Sequence, residues 1–567
     1  IDRDGVADSG DETVLRANIA ANDPNDREYV LDTTNLPVGV HHVGGTIDDG
    51  LARLTVYAGS IGVTTRLVGR FTADTLGSGL TTLLPGSANV ALGVAIDISH
   101  DVDGDGRHDL LVTAPGSGAV RTGVGTAYLH LSPEYGWPAS FAVAGSRMLI
   151  RGEQYGQALG TSAALLPSID GDTDGDILLG APFFRGSDSW HDGRAYLLSG
   201  RPLLTRPSPF DLNGLSSPIG AHVTGDYADM AGLLVAFAGD LDGDGYPDAA
   251  IGAPGSSYDD VGRVALLRGG ALPSSTWFDE LCNDEAGVVI EGLSDYARTG
   301  AAVCRIPDLD DDGSDELFIG APGETLWGDE ATGAAFLVFG SPALFAPYEC
   351  ESLWLYDLLG DADAIAFRGE HDGDEAGAAL AVLDFNGDTL PDLVIGAPGY
   401  GNGRGRVYIV PLYALGLIDW SEPPFVLDLA DVASGALPGT VIDGLACGDG
   451  LGSSLAVVDD HDGDGFADLL IGAPYAESER GAAYLLYGSL YYIYASTLSL
   501  ADLGTADLPG WEFVGSAPGD ALGSALSGGD VDGDDLADAA VGAPGTHPGG
   551  RAFIVHGRNG FGSVAPD

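Results

Sequence analysis

One acidic phrase, repeated seven times in register, constrains what this chain can fold into more than any other feature. Its copies are DVDGDGRHDLLVTAP from residue 101, SIDGDTDGDILLGAP from 168, DLDGDGYPDAAIGAP from 240 and DLDDDGSDELFIGAP from 308. They continue with DFNGDTLPDLVIGAP from 384, DHDGDGFADLLIGAP from 460 and DVDGDDLADAAVGAP from 530, at intervals of 67, 72, 68, 76, 76 and 70 residues. Self-similarity at such a period marks units that bury their apolar faces against one another. About eight residues before each acidic loop a Gly opens an apolar strand: Gly93, Gly160, Gly232, Gly300, Gly377, Gly452 and Gly523. After each loop comes an apolar strand, usually ending in Gly-Ala-Pro, then a surface loop, a strand such as GRAYLLSG (193–200), and a fourth strand such as VVIEG. Each unit therefore reads as four antiparallel strands with no helical segment. Seven of them predict an all-β, seven-bladed β-propeller over residues 62–560, with 561–567 as a tail.

The ring needs closing, because the last unit runs out after its third strand near residue 557. The segment TTRLVG (64–69) has the fourth-strand pattern and is expected to complete blade 7. Loop-closure entropy rises only slowly with length, so an N-to-C clasp is thermodynamically accessible.

Composition narrows the function. Acidic residues number 84 against 24 basic ones, every one of them arginine, for a net charge of −60. Such a surface repels phosphate backbones and anionic lipid, which argues against nucleic-acid binding and membrane insertion, and a lysine-free chain has no Schiff-base chemistry. The chain is nonetheless 45% hydrophobic with 21 Tyr, 18 Phe and 7 Trp, which a disordered acidic segment lacks. No apolar run is long enough to span a bilayer. The chain opens mid-motif with IDRDGVAD and is expected to be part of something longer.

The acidic loops have the form D-x-D-x-D-G-x-x-D. Carboxylates at positions 1, 3 and 5 converge, Gly at 6 permits a sharp turn, and position 9 closes the cage. Oxygen donors in a flexible cage of six to eight suit calcium. Loops 1, 3 and 6 are complete: Asp101, Asp103, Asp105 and Asp109; Asp240, Asp242, Asp244 and Asp248; Asp460, Asp462, Asp464 and Asp468. Loop 4 has Asp308, Asp310 and Asp312 but ends in Glu316. Loop 5 has Asp384, Asn386, Asp388 and Asp392, with Thr389 at the turn. Loop 7 has Asp530, Asp532, Asp534 and Asp538, with Asp535 at the turn. In loop 2, Ser168 replaces the first Asp and leaves Asp170, Asp172 and Asp176, while an alternative register recruits Asp174. A single such loop also reads as a metal-free Asp-Gly turn, but seven in register do not. The expectation is six or seven structural calcium ions stapling hairpin ends, at concentrations found outside cells.

The opening-strand Gly, the D-x-D-G-D-G-x-x-D loop and the Gly-Ala-Pro resemble the FG-GAP repeat of integrin α-subunit propellers and their bacterial relatives. The resemblance covers about residues 62–560. It implies calcium in hairpin loops on the lower face and ligand contacts on the opposite one. Two departures stand out: nearly every repeat carries the acidic loop, and the family's Phe is replaced by Leu92, Leu159, Ala231, Thr299, Ala376, Leu451 and Leu522. Receptor-style signalling therefore does not carry over.

Residues 1–61 lie outside the repeat. Residues 1–11 resemble the acidic calcium-loop linkers of thrombospondin type 3 repeats, with a solvated linker as the alternative. Residues 12–61 resemble part of an immunoglobulin-like β-sandwich. Adjacent His41 and His42 point to opposite faces of a strand and cannot jointly hold a metal. No hydrolase, zinc-protease or nucleotide-binding motif is present. Cys282 and Cys350 fall in comparable loops of neighbouring blades and are candidates for a disulfide; Cys304 reads as a buried strand thiol and Cys447 as free near a top loop.

The reading that follows is a non-enzymatic, extracellular or cell-surface calcium-binding propeller acting in adhesion or protein interaction. It would bind a protein or glycan through top-face loops such as 183–193 and 323–333. Two alternatives remain: a subunit that assembles with copies of itself into a filament or layer, and a propeller appended to an upstream enzyme domain.

Overall fold

The computed structural model describes residues 39–48, 53–63, 69–72, 80–85 and 91–557, apart from the loop segments 117–122, 134–136, 187–190, 256–260, 271–274, 346–351, 418–422, 490–496 and 506–507 and residues 227, 284, 327 and 329. The chain divides into two units, Val68–Gly557 and a second one made of Ile1–Leu67 with Arg558–Asp567. In the second unit the described part is one antiparallel hairpin, Gly39–Asp48 against Arg53–Val63, with a bulge between His42 and Gly44. The acidic linker 1–11 and the remainder of the expected sandwich lie outside the described residues.

The larger unit is a seven-bladed β-propeller. Each acidic phrase sits between the first and second strands of a blade. Blade 2 shows the pattern: Ala163–Leu166, Asp176–Ala181, Arg194–Ser199 and Gly220–Thr224 form an antiparallel meander. The second strands are buried along their whole length, as in Asp176–Ala181, Asp248–Ala253 and Asp468–Ala473. Alternation explains this, because both faces of a blade are covered. Ile177, Leu179 and Ala181 pack toward blade 1, while Leu178 packs with blade 3. The core is thus divided among the interfaces between successive blades, and the strands read as unbroken apolar runs. The first strands line an axial cavity of about 600 Å³ with residues such as Ala164, Ala236, Ala381 and Ala456. Small side chains suit them because the blades crowd together at the axis.

Two features differ from the four-strand expectation. Every blade gains a fifth, outermost strand that runs parallel to its fourth and belongs to the next blade's third-to-fourth connection. Phe210–Asp211 lies on blade 1, Thr276–Trp277 on blade 2 and Phe425–Asp428 on blade 4. Apart from the one on blade 6, these edge strands turn directly into a short helical segment whose first residue is buried, as at Val143, Leu212, Phe278, Leu355, Leu429 and Leu500. Segments of two to four strand residues followed by one or two helical turns are too short to carry a periodic signal.

The clasp exists but uses different residues. Leu80–Leu84, not 64–69, pairs antiparallel with Arg551–Val555 as the fourth strand of blade 7. Gly69–Thr72 instead runs parallel to Gly510–Val514 as the edge strand of blade 6, and 64–68 lie outside the described residues. The physical reason is the edge strand itself. The chain must lay one strand on blade 6 before it enters blade 7, which moves the closing strand downstream. Leu83 then inserts, fully buried, among Leu92, Ile96, Val112, Ala540 and Ile554.

The residues that stand in place of the family Phe seal the joints between blades. Each pairs in parallel with the Gly that opens the preceding blade's third strand: Leu159 with Gly125, Thr299 with Gly262, Leu451 with Gly405, and Leu92 with Gly550 across the closure. A Cβ at Gly405 would lie 2.2 Å from the Leu451 carbonyl oxygen, and its φ of +82° already favours glycine.

Candidate metal centres

The loops fold by wrapping backbone N–H groups around their own carboxylates. In loop 1 the position-1 side chain accepts from two turns at once: Gly104 N–H donates to Asp101 Oδ1 (2.8 Å) and Gly106 N–H to Oδ2 (2.6 Å). Loop 6 repeats this with Gly463 and Gly465 on Asp460 at 2.6 and 2.9 Å. The position-5 carboxylate accepts from residue 7, as Asp464 does from Phe466 (3.1 Å). Position 9 is a strap across the blade. Val102 N–H donates to Asp109 Oδ2 (2.8 Å) and Ser132 N–H, beyond the third strand, to Oδ1 (2.9 Å). Asp248, Asp468 and Asp538 make the same two contacts.

Position 4 is as demanding as position 6. Gly104, Gly171, Gly243, Gly387 and Gly533 have φ between +67° and +79°, and in loop 4 Asp311 takes +60°. The residue at position 7 of the next blade's loop covers this glycine: a Cβ would lie 2.8 Å from the Tyr246 ring at Gly171 and 2.1 Å from Phe466 at Gly387. At position 6, Thr389 (+73°) and Asp535 (+68°) adopt the left-handed geometry that glycine adopts elsewhere.

Ligating atoms converge to within 4.8 Å of one another in loops 1, 3, 4, 6 and 7, among others: Asp101, Asp103 and Asp109; Asp240, Asp242 and Asp248; Asp308, Asp310 and Glu316; Asp460, Asp462 and Asp464; and Asp532 and Asp538 joined by His556. Their electrostatics call for a cation. Burial, with neighbouring carboxylates adding to it, raises Asp109, Asp248 and Asp392 to about 7 and Glu316 to about 8. Asp468 is raised well above the ordinary range for the same reasons. Asp103 Oδ1 and Asp532 Oδ1 are buried without a hydrogen-bond partner. Buried, crowded, acceptor-only oxygens fit a hard divalent ion.

The loops are not equivalent, and the difference comes from residues outside the acidic phrase. The residue across from position 9, at the end of the third strand, is Leu131, Ser199, Phe339, Pro411 or Tyr487 in five blades, Arg268 in blade 3 and His556 in blade 7. Arg268 Nε lies 2.6 Å from Asp242 Oδ2, and its terminal nitrogen 3.0 Å from Asp244 Oδ2. In loop 1, Arg107 pairs with Asp105. In loop 5, Asn386 turns its amide to both oxygens of Asp392 (2.8 and 3.0 Å). Loop 2 departs furthest: Arg201 grips Asp174 through two nitrogens (2.9 and 2.6 Å) and holds it below its ordinary pKa. That leaves Asp174 engaged elsewhere, while Asp176 is strapped like the other ninth residues and raised to about 7 by burial and Asp170.

Among the cysteines, Cys282 is disulfide-bonded, whereas Cys304 and Cys447 are free; Cys350 lies outside the described residues. Burial pushes the Cys304 thiol up to about 12, and Cys447 is exposed. Of the two long top-face loops, residues 187–190, 327 and 329 lie outside the described residues.

The FG-GAP repeat family matches residues 92–130, 231–267, 376–410 and 451–486, which are the first three strands of blades 1, 3, 5 and 6. Phosphatidylinositol-glycan-specific phospholipase D of Rattus norvegicus is 32% identical over 199 residues, 34% of this chain and 21% of that protein. Integrin alpha-5 of Xenopus laevis is 32% identical over 30% of this chain and 15% of its own length. Integrin alpha-PS2 of Drosophila melanogaster is 29% identical over 40% and 15% respectively. The matched part is thus about a fifth or less of each of these relatives. Among solved structures, Sqt1 from Chaetomium thermophilum aligns over 84% of this chain and 98% of its own, at 12% identity and a TM-score of 0.39.

Proposed function

Because blades 1, 3, 5 and 6 are FG-GAP repeats, we propose that this propeller binds calcium in its acidic loops and serves as a non-enzymatic interaction module outside the cell. The observation that carries the metal half is the buried ninth carboxylate, raised to about 7 or 8 in loops 1, 3, 4 and 5. Asp101, Asp103 and Asp109, with their counterparts in loops 4, 5 and 6, would hold the ion. Calcium would supply the positive charge that these crowded oxygens lack. Sites of this kind with dissociation constants of about 0.1–1 mM fill only where calcium is millimolar, which supports an extracellular or surface location. No helix among the described residues is long and apolar enough to cross a membrane.

The interaction half rests on the face opposite the acidic loops, where Tyr155, Tyr296 and Tyr475 are 76%, 69% and 60% exposed. Exposed aromatics with a polar tip suit contacts with protein or glycan. The test combines metal analysis of the protein at equilibrium dialysis against 2 mM calcium with attachment of protein-coated beads to immobilised matrix proteins and glycans. We expect at least four calcium ions per chain, and attachment in 2 mM calcium that chelator reverses. A chain without bound calcium overturns the metal half; no calcium-dependent attachment overturns the adhesion half. Light scattering that finds calcium-dependent polymers would instead favour self-assembly. A second reading, a propeller accessory to an enzyme domain, is favoured by the phospholipase D relatives and is tested by lipase assay of the longest natural chain.

A further inference from the structure

We infer that the acidic loop of blade 7 is a site for a borderline divalent metal, zinc, held by Asp532, Asp538 and His556. It would not be one more copy of the calcium site. Calcium takes oxygen donors, whereas an imidazole nitrogen in the donor set shifts preference toward zinc and its neighbours. His556 Nδ1 lies 3.3 Å from Asp538 Oδ1 and 3.5 Å from Asp532 Oδ2. In a tetrahedral zinc site with bonds of about 2.0–2.1 Å, neighbouring donors lie about 3.3–3.4 Å apart.

The ring is also turned the right way. Thr81 donates its hydroxyl proton to the Pro138 carbonyl (3.1 Å), so its oxygen accepts from His556 Nε2–H at 3.0 Å. Nδ1 is therefore the nitrogen presented to the carboxylates. A hydrogen bond to the outer nitrogen is the usual means by which proteins orient a metal-binding histidine. His556 is 5% exposed and Asp538 fully buried. Asp532 brings a second carboxylate to the same ring nitrogen, so the three donors meet within 4.8 Å of one another. Thr81 lies on the closing strand, so the site forms only when the N-terminal segment completes blade 7.

The full chain in 2 mM calcium is titrated with Zn2+ and, separately, with Mn2+. We expect one zinc per chain to bind despite the excess calcium, and pulsed EPR of the Mn2+ sample to show nitrogen coupling from one directly bound imidazole. His556→Gln should abolish that coupling and weaken zinc by about tenfold to a hundredfold or more. Thr81→Val, which removes a positioning residue, should keep the coupling and weaken zinc by about tenfold. Zinc that cannot compete with calcium overturns the inference, as does coupling that survives in His556→Gln, since ten other histidines are present. Should that variant fail to fold, the zinc-edge anomalous signal of the unaltered protein decides: a peak away from these three atoms refutes the site. The inference shares carboxylates with the calcium reading but does not rest on it. Zinc in loop 7 with no calcium in loops 1, 4, 5 and 6 would sink that reading alone.

Discussion

The calcium reading makes a quantitative demand on how metal stabilisation varies with pH. Without metal, Asp109 and Asp392 ionise near 7 and Glu316 near 8 in the folded protein because burial disfavours their charge, against about 3.9–4.3 in the unfolded chain. Between those values the folded state keeps protons that the unfolded state has lost. The metal-free protein therefore loses stability as pH rises through this window, by about 1.4 kcal/mol per pH unit for each group. Bound calcium holds the same carboxylates ionised and removes the loss. For a unit of roughly 500 residues, 1 kcal/mol corresponds to roughly 1 °C in Tm. With dissociation constants of about 0.1–1 mM at neutral pH, 2 mM calcium adds about 0.6–1.8 kcal/mol per site there and almost nothing at pH 5, where protons compete for the same oxygens. For three sites the increment in Tm over chelator should thus grow by roughly 2–5 °C in total between pH 5 and 7. Buried His130 and His461 and half-buried His222, lowered to about 4, impose an opposite slope below about pH 6.5. That slope is common to both buffers and cancels in the difference. Differential scanning calorimetry in paired buffers gives the increment directly. Ordinary exposed carboxylates would complete the growth by about pH 5, so an increment that is flat from pH 5 to 7 refutes the argument.

Arg268→Gln removes the guanidinium from Asp242 and Asp244; in calcium titrations loop 3 should gain affinity, while Tm in chelator falls. Leu83→Ala in the closing strand deletes a fully buried side chain and should cost about 2–5 kcal/mol, read as a loss of roughly 2–5 °C. Gly405→Ala drives a Cβ to 2.2 Å from the Leu451 carbonyl and, like other overpacked changes, should cost about 1–3 kcal/mol or more. A Gly416→Ala control, with nothing within 4 Å of its Cβ, should leave Tm unchanged.

The blade count and the position of each acidic loop were legible in the sequence because a sevenfold repeat states them seven times over. Glycine at position 6 was readable as a turn. Glycine at position 4 was not, because its reason is Tyr246 or Phe466 of the next blade lying across it. The substitutes for the family Phe looked like departures until their pairing with the third-strand glycines made them the joints between blades.

What the sequence determined by itself is the periodic part: strands buried on both faces, turns fixed by left-handed residues, and carboxylates spaced to meet. Which loops resemble one another electrostatically, and which strand closes the ring, depend instead on contacts between residues distant in the chain. Arg268, Arg201 and His556 lie 18 to 27 residues from the carboxylates they face, and Leu80–Leu84 lies at the other end of the chain from the strand it completes. No local pattern encodes such contacts. They arise because folding brings a third strand beside its own acidic loop, and because a ring must be closed by whichever segment remains after blade 6 has taken its edge strand.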